Sequence, residues 1–273
     1  MGTSRGISMN FDGHLSIALE AVDLAVDLFT SSATGRLTAK GERDYASEVD
    51  YAIEDRIRSF LQTRTPEIGF VGEEDGASGP SADLYWLLDP IDGTVNYTHA
   101  LPMCGISLAL VAGAQPQLGV IDHPYLSTRY TAVRGSGAHC NGKAVHVSTV
   151  EQLADALVTI GDYAVGEGAE SKNEARLKVT AVLAPKVLRL RMLGAAAVDL
   201  AWLADGRTDA SLALSNNAWD MAAGAIIASE AGATVSDLDG SHHTTTSGAT
   251  IAANPRLHGP LLDALHSALS TTS

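Results

Sequence analysis

Apolar residues recur every three or four positions in the first third of the chain. Leu15, Ala18, Leu19, Val22, Val26 and Phe29 form one stripe, and Val49, Ile53, Ile57, Phe60 and Leu61 form another. Each stripe predicts an amphipathic helix, the second ended by Pro66, and both helices are expected to precede the first strand. The pattern then changes to short apolar runs. Ile68 to Val71 and Tyr85 to Leu88 read as strands, followed by Ile106 to Ala112, Leu118 to Asp122 and Arg129 to Val133 as an antiparallel meander. Asn141-Gly142 is the residue pair that a two-residue hairpin turn prefers.

From about residue 157 the two periods alternate. Leu157–Gly161, Val187–Met192, Asp209–Leu214, Thr234–Asp237 and Thr250–Ala253 read as strands, and Asn173–Leu183, Ala195–Ala204, Met221–Ala231 and Leu257–Leu269 as helices. Two sheets layered with helices is the packing this order predicts, an α+β arrangement. No Pro/Ser-rich or single-charge run separates the halves, so residues 1–273 are expected to form one domain, with halves at about 1–150 and 151–273.

The strands of the first half end in acid. Pro90 cannot donate to a ladder and biases Asp89 toward extended backbone, so the run that begins at Tyr85 is expected to stop at Asp89. The chain must then turn, and Gly93 can take a conformation closed to residues with a side chain. Asp89 and Asp92 can thus face one pocket with the Ile91 carbonyl between them, an oxygen set suited to a hard cation such as Mg²⁺. Free amides at Gly93 and Thr94 would favour an anion beside it. Asp-Pro-Ile-Asp-Gly is equally the composition of a plain tight turn whose aspartates cap their own backbone. Two further acidic segments weigh against that reading: Gly72-Glu73-Glu74 closes the strand before, and Asp220 of Trp219-Asp220 stands at the N-cap or first turn of an alanine-rich helix.

In this order and spacing, Gly72-Glu73-Glu74, Asp89-Pro90-Ile91-Asp92-Gly93-Thr94 and Trp219-Asp220 resemble the inositol monophosphatase family of Mg²⁺-dependent, lithium-sensitive phosphomonoesterases. The likeness extends to the stretch from Lys40 to Asp50, the hairpin at Gly137 to Gly142, and Gly194-Ala195-Ala196-Ala197. It implies an αβαβα sandwich and hydrolysis of inositol monophosphate, or a related small polyol or sugar phosphate, by direct attack of a metal-activated water. Two or three Mg²⁺ ions are implied, with Mn²⁺ as a substitute and Li⁺ as an inhibitor, and a homodimer as the assembly.

The resemblance also assigns roles. Glu73, Asp89 and the Ile91 carbonyl would hold one metal, and Asp89, Asp92 and Asp220 a second. Asp50 and Thr94 would hold the attacking water, with Glu73 joining them as catalytic. Asp92, Gly93, Thr94, Gly194, Ala195, Ala196 and Asp220 would contact substrate and phosphate. Glu74 supports Glu73 or binds metal through water, and Lys40 lies near a lysine of the family. Inositol-preferring members carry a glutamate seven residues before the aspartate of Trp-Asp, where this chain has Ala213, so a wider substrate range is implied. Histidinol phosphate is an alternative substrate, and a catalytically silent metal- or phosphate-binding regulator is an alternative of another class.

Composition narrows the partners. A net charge of −14 argues against nucleic acid or an anionic membrane surface, both of which need a basic patch. No run reaches the roughly 18 apolar residues of a membrane span and no signal-peptide core is present, so a cytoplasmic location is expected. Cys104 and Cys140 are expected to be ordinary reduced thiols. Gly137 to Ala144 has the spacing of a phosphate-binding loop but lacks its Ser or Thr, so the Asn-Gly hairpin is the expected structure. His242 and His243 sit in a polar stretch and are expected to be solvated.

Overall fold

Five layers of alternating helix and sheet make up the chain. The structure, a computed structural model, describes residues 11–31, 37–41, 44–80 and 83–270. Helices α1 (Asp12–Ser31) and α2 (Glu48–Arg64) form the first layer, with the predicted stripes turned inward. Between them the chain makes an antiparallel hairpin, β1 (Leu37–Gly41) with β2 (Asp44–Ser47), so the expectation that both helices precede every strand is wrong. Those strands carry charged and small residues without alternation, which leaves no period-2 signal. Lys40 falls in β1, and the expectation for its side chain lies outside the described residues.

The second layer is an eight-stranded sheet of β3 (Gly69–Gly72), β4 (Gly76–Ser78), β5 (Leu84–Asp92), β6 (Gly105–Ala112), β7 (Gln115–His123), β8 (Thr128–Val133), β9 (Ala138–Cys140) and β10 (Lys143–Ala144). Its spatial order is β10-β9-β8-β7-β6-β5-β3-β4, in which β6 to β8 are the predicted meander and antiparallel pairing extends it to β5 on one side and β10 on the other. Only β3 and β5 pair in parallel, which brings the ends of both acidic strands to the same edge of the sheet. Asn141 and Gly142 take positive φ between β9 and β10, the backbone of a two-residue hairpin.

Strand β5 does not stop at Asp89. Pairing with β6 lapses after Asp89↔Ser107 and resumes at Asp92↔Gly105, so the strand bulges at Pro90 and Ile91 and continues to Asp92. Pro90, which has no amide hydrogen to donate, sits where the ladder is open. The bulge turns what reads as a strand terminus into a kink that delivers two aspartates instead of one.

The central layer contains α5 (Ala196–Ala204) and α6 (Ala218–Glu230), and the fourth is a five-stranded sheet in the order β12-β11-β13-β15-β14. Its strands are β11 (Leu157–Ile160), β12 (Arg189–Arg191), β13 (Ala210–Ala213), β14 (Thr234–Ser236) and β15 (Thr250–Ala253). Helices α4 (Ala169–Leu183) and α7 (Pro255–Ser270) cover the outer face as the fifth layer, and the short α3 (Thr94–Thr98) follows β5. Alanine dominates the central helices because they touch both sheets. Ala197, Ala201, Ala222 and Ala223 pack on the eight-stranded sheet, while Leu200, Leu203, Met221 and Ala228 cluster with Ala252 of the other. A thin middle layer lets both sheets close at interior packing density. Among the described residues no helix is long and apolar enough to cross a membrane, and Cys104 and Cys140 are unbridged.

The histidine expectation holds for His242 alone. His243 is buried, its Nε2 2.8 Å from the Thr250 hydroxyl, because the polar loop folds back over β15. Burial lowers its pKa to about 4, and burial with the charge of Arg207 does the same for His123, which lies edge-on to Tyr130. Both groups are depressed from the ordinary value, so their neutral forms stabilise the fold above about pH 6.5. That contribution drains away as pH falls toward 4, by up to roughly 3 kcal/mol for each histidine. Urea unfolding between pH 7 and 4 should show the loss, and His123→Phe should flatten it. An unchanged slope in that variant would contradict the assignment.

Candidate functional site

The acidic residues meet where the C-terminal ends of β3 and β5 face the N-termini of α5 and α6. Ligand-capable oxygens of Glu73, Asp89 and Asp220 all lie within 4.8 Å of one another. Asp89 is buried, Glu73 and Asp220 partly so, and Asp220 occupies the first turn of α6 as its sequence predicts. One Asp89 oxygen, Oδ1, is buried with no hydrogen-bond partner in the protein. Such an atom costs about 1–3 kcal/mol unless something satisfies it, and more when charged. Burial first, then the charges of Glu73, Asp92 and Asp220, push the Asp89 pKa well above the carboxylate range. A group of oxygens of this kind, unable to ionise together without help, fits a hard divalent cation.

Asp92 is beside this cluster but differently engaged. Its Oδ2 accepts the Ala197 amide at 2.7 Å and its Oδ1 the Ala196 amide at 3.2 Å, so it caps α5 from another strand. Those bonds pull its pKa down, but burial and the charge of Asp220 outweigh them and raise it well above normal. Since a carboxylate has about four acceptor positions, Asp92 retains lone pairs for a metal. The Ala196 amide is turned to Asp92, and Gly194, Ala195 and Ala196, the residues expected to contact substrate, line the adjoining cavity with Asp92 and Asp220.

Gly93 makes the turn after Asp92 at φ 84°, and a Cβ there would come within 3.0 Å of the Met103 carbonyl. Both facts require glycine. Thr94 then points back: its hydroxyl lies 3.1 Å from the Ile91 carbonyl and 3.4 Å from Oδ1 of Asp50. Asp50 is buried in the first turn of α2, although most helical aspartates are solvated. Asn96 ties this corner to the Gly194 loop, donating at 2.7 Å to both the Met103 and Leu193 carbonyls.

One organising residue escaped the sequence reading. Glu54, fully buried one helical turn after Asp50, accepts the amides of Glu74 at 2.8 Å and Asp75 at 2.9 Å and pairs with Arg58. It therefore fixes the turn that presents Glu73. A Cβ on Gly72 would fall on the Glu54 carboxyl, which explains the glycine before Glu73-Glu74. The available signal was a carboxylate four residues after Asp50, on the same helix face. Glu74 itself is half-buried, with its amide held by Glu54.

Comparison with known proteins places this geometry. The model of the "Inositol monophosphatase family" matches residues 12–270. The inositol-1-monophosphatase of Mesorhizobium japonicum is 36% identical over 236 residues, 86% of this chain and 88% of that protein. The Nus factor SuhB of Pseudomonas aeruginosa is 35% identical over 255 residues, 91% and 94% of the two chains. The crystal structure of the extragenic suppressor protein SuhB from Bartonella henselae superimposes with a TM-score of 0.86 at 31% identity, covering 93% of this chain and 98% of that one. The chain thus belongs to the inositol monophosphatase family, and with it to the phosphoric monoester hydrolases.

Proposed function

We propose that the protein is a Mg²⁺-dependent phosphomonoesterase that hydrolyses inositol monophosphate or a related small polyol or sugar phosphate. The observation that carries this reading is the meeting of carboxylate oxygens of Glu73, Asp89 and Asp220 within 4.8 Å of one another, together with a buried Asp89 oxygen that has no protein partner. Magnesium held by these carboxylates, with Asp92 and the Ile91 carbonyl beside them, would lower the pKa of bound water and offset charge on the leaving alkoxide. The chain's own residues do the rest. Asp50, whose ionised carboxylate can only accept, can accept the hydrogen bond of the Thr94 hydroxyl and leave the Thr94 oxygen free to accept one from the attacking water. That fixes the direction in which the water's lone pair points, and no side chain need be phosphorylated. Gly93, Thr94, Gly194 and Ala195 would contact the phosphate, the last two from the wall of the adjoining cavity.

The Pseudomonas relative named a Nus factor keeps a second class in view, a regulator on the same fold without catalysis. The Asp50–Thr94 pair favours the enzyme, because a binder has no use for a water-directing hydroxyl. The deciding test is phosphate release from inositol 1-phosphate, glycerol phosphates and histidinol phosphate, with and without Mg²⁺ and Li⁺. Release that requires Mg²⁺ and falls with Li⁺ is expected; no turnover of any substrate would leave the regulator.

Glu54 provides a separate check on how the metal turn is held. In Glu54→Gln one carboxamide oxygen must serve two amides that now have one oxygen each. The Mg²⁺ concentration for half-maximal phosphate release should rise about tenfold, as for other residues that orient metal ligands, with a smaller change in kcat. An unaltered Mg²⁺ requirement would remove Glu54 from this role.

A further inference from the structure

The cavity beside the acidic cluster carries one cationic side chain, Arg176, in a lining that also holds Asp92, Asp162, Asp199 and Asp220. It encloses about 200 Å³, the share of roughly six or seven water molecules, and runs from Asp92 and Asp220 past Ala213 to Arg176 on α4 and Ser215 after β13. Arg176 is one turn before Val179, whose buried side chain faces the five-stranded sheet, so it points inward. On the outer side of the same helix Glu174 pairs with Lys178 and leaves Arg176 alone. Among the described residues no carboxylate comes within ion-pair distance of the Arg176 guanidinium, whose one hydrogen bond runs from Nη2 to the Ser215 hydroxyl at 2.7 Å.

A half-buried guanidinium with five donors and one acceptor is incompletely satisfied. Burial lowers its pKa. Asp162 and Asp199 also line the cavity, but neither pairs with it. The planar fork of arginine matches a carboxylate or phosphate through two parallel hydrogen bonds, and an anion there would offset the cost of burying the charge.

We propose that Arg176 forms an anion-receiving subsite, so that the preferred substrate is a small phosphate monoester carrying a second anionic group, a carboxylate or another phosphate, on its alcohol part. The proposal rests on the phosphomonoesterase reading for what happens at the acidic end, but the subsite itself is tested by binding. Calorimetric titration in Ca²⁺, which replaces Mg²⁺ to suppress turnover, compares 3-phosphoglycerate with glycerol 3-phosphate, a pair that differs only in a carboxylate for a hydroxymethyl group. Fructose 1,6-bisphosphate against fructose 1-phosphate makes the same comparison for a second phosphate.

The doubly anionic member of at least one pair should bind about tenfold or more tighter, the range of a charge-assisted hydrogen bond. The ratio should fall toward one in Arg176→Gln and by less in Arg176→Lys, which keeps the charge but loses the fork. A preference in one pair only identifies the anion as carboxylate or phosphate. A ratio near one for both pairs in the natural protein, or an unchanged ratio in the variants, would overturn the subsite. If Arg176→Gln fails to fold by circular dichroism, Arg176→Lys carries the test. Absence of Mg²⁺-dependent turnover for every compound would instead sink the phosphatase reading, while the binding ratios still decide the subsite.

Discussion

Asp89→Asn is expected to cut phosphate release about a thousandfold while making the metal-free protein more stable. The two effects have one cause. Asp89 is the most buried member of the carboxylate cluster, raised in pKa by burial and by three acidic neighbours, and one of its oxygens has nothing in the protein to bind. Removing its charge takes away a ligand from a cation asked to supply several kcal/mol of transition-state stabilisation. Each loss of about 1.4 kcal/mol is a factor of ten in rate. The same change relieves repulsion between carboxylates under 5 Å apart, worth roughly 3–4 kcal/mol per pair at an effective dielectric near 20. Part of that is already avoided by protonation, so about 1–2 kcal/mol of added metal-free stability at neutral pH is the expected remainder. Phosphate release and urea unfolding of the same preparation read both. A variant that loses activity together with stability would mean that Asp89 is structural; one that keeps activity would remove it from the site.

How much of this was legible in the sequence depended on range. Short-range chemistry was readable: the helical stripes, the Asn141-Gly142 turn, the glycine after Asp92 and the acid at Asp220 follow from the period and conformational freedom of a few neighbouring residues. The convergence of Glu73, Asp89 and Asp220 came through family likeness, since nothing in the spacing alone says that β3 and β5 pair in parallel. Pro90 misled because the rule against proline in a ladder has an exception at a bulge, and the bulge is made by β6, which the local sequence does not contain. Glu54, despite its place one turn after Asp50, and Arg176 were passed over for a related reason. A carboxylate and a guanidinium on amphipathic helices look like solvated faces until the elements packed over them are known. His243 failed likewise, its polar neighbours being folded onto β15.

Mg²⁺ should raise the melting temperature by about 5–10 °C, and by more at pH 8 than at pH 6.5. A ligand that binds only the folded state at 100 times its dissociation constant adds about 2.7 kcal/mol, and in a chain of this size 1 kcal/mol moves Tm by about 2–4 °C. The pH dependence follows from the direction of the carboxylate shifts. Asp89 and Asp92 have raised pKa values in the fold, so their contribution to stability is full below the ordinary carboxylate range and is lost as pH climbs through the raised values. His123 and His243, shifted down, change their contribution only below about pH 6.5, so a decline above that pH in the metal-free protein belongs to the carboxylates whose pKa is raised well above the ordinary value, Asp199 together with Asp89 and Asp92. A bound cation keeps the carboxylates ionised and competes with protons for them, which is why its benefit grows with pH. Differential scanning fluorimetry with Mg²⁺, against KCl of equal ionic strength, separates this from screening, and Asp89→Asn should lose most of the gain. If Tm stays flat in Mg²⁺ at both pH values, the carboxylates are held together by something other than a cation, and the site proposed for phosphate hydrolysis loses its chemical basis.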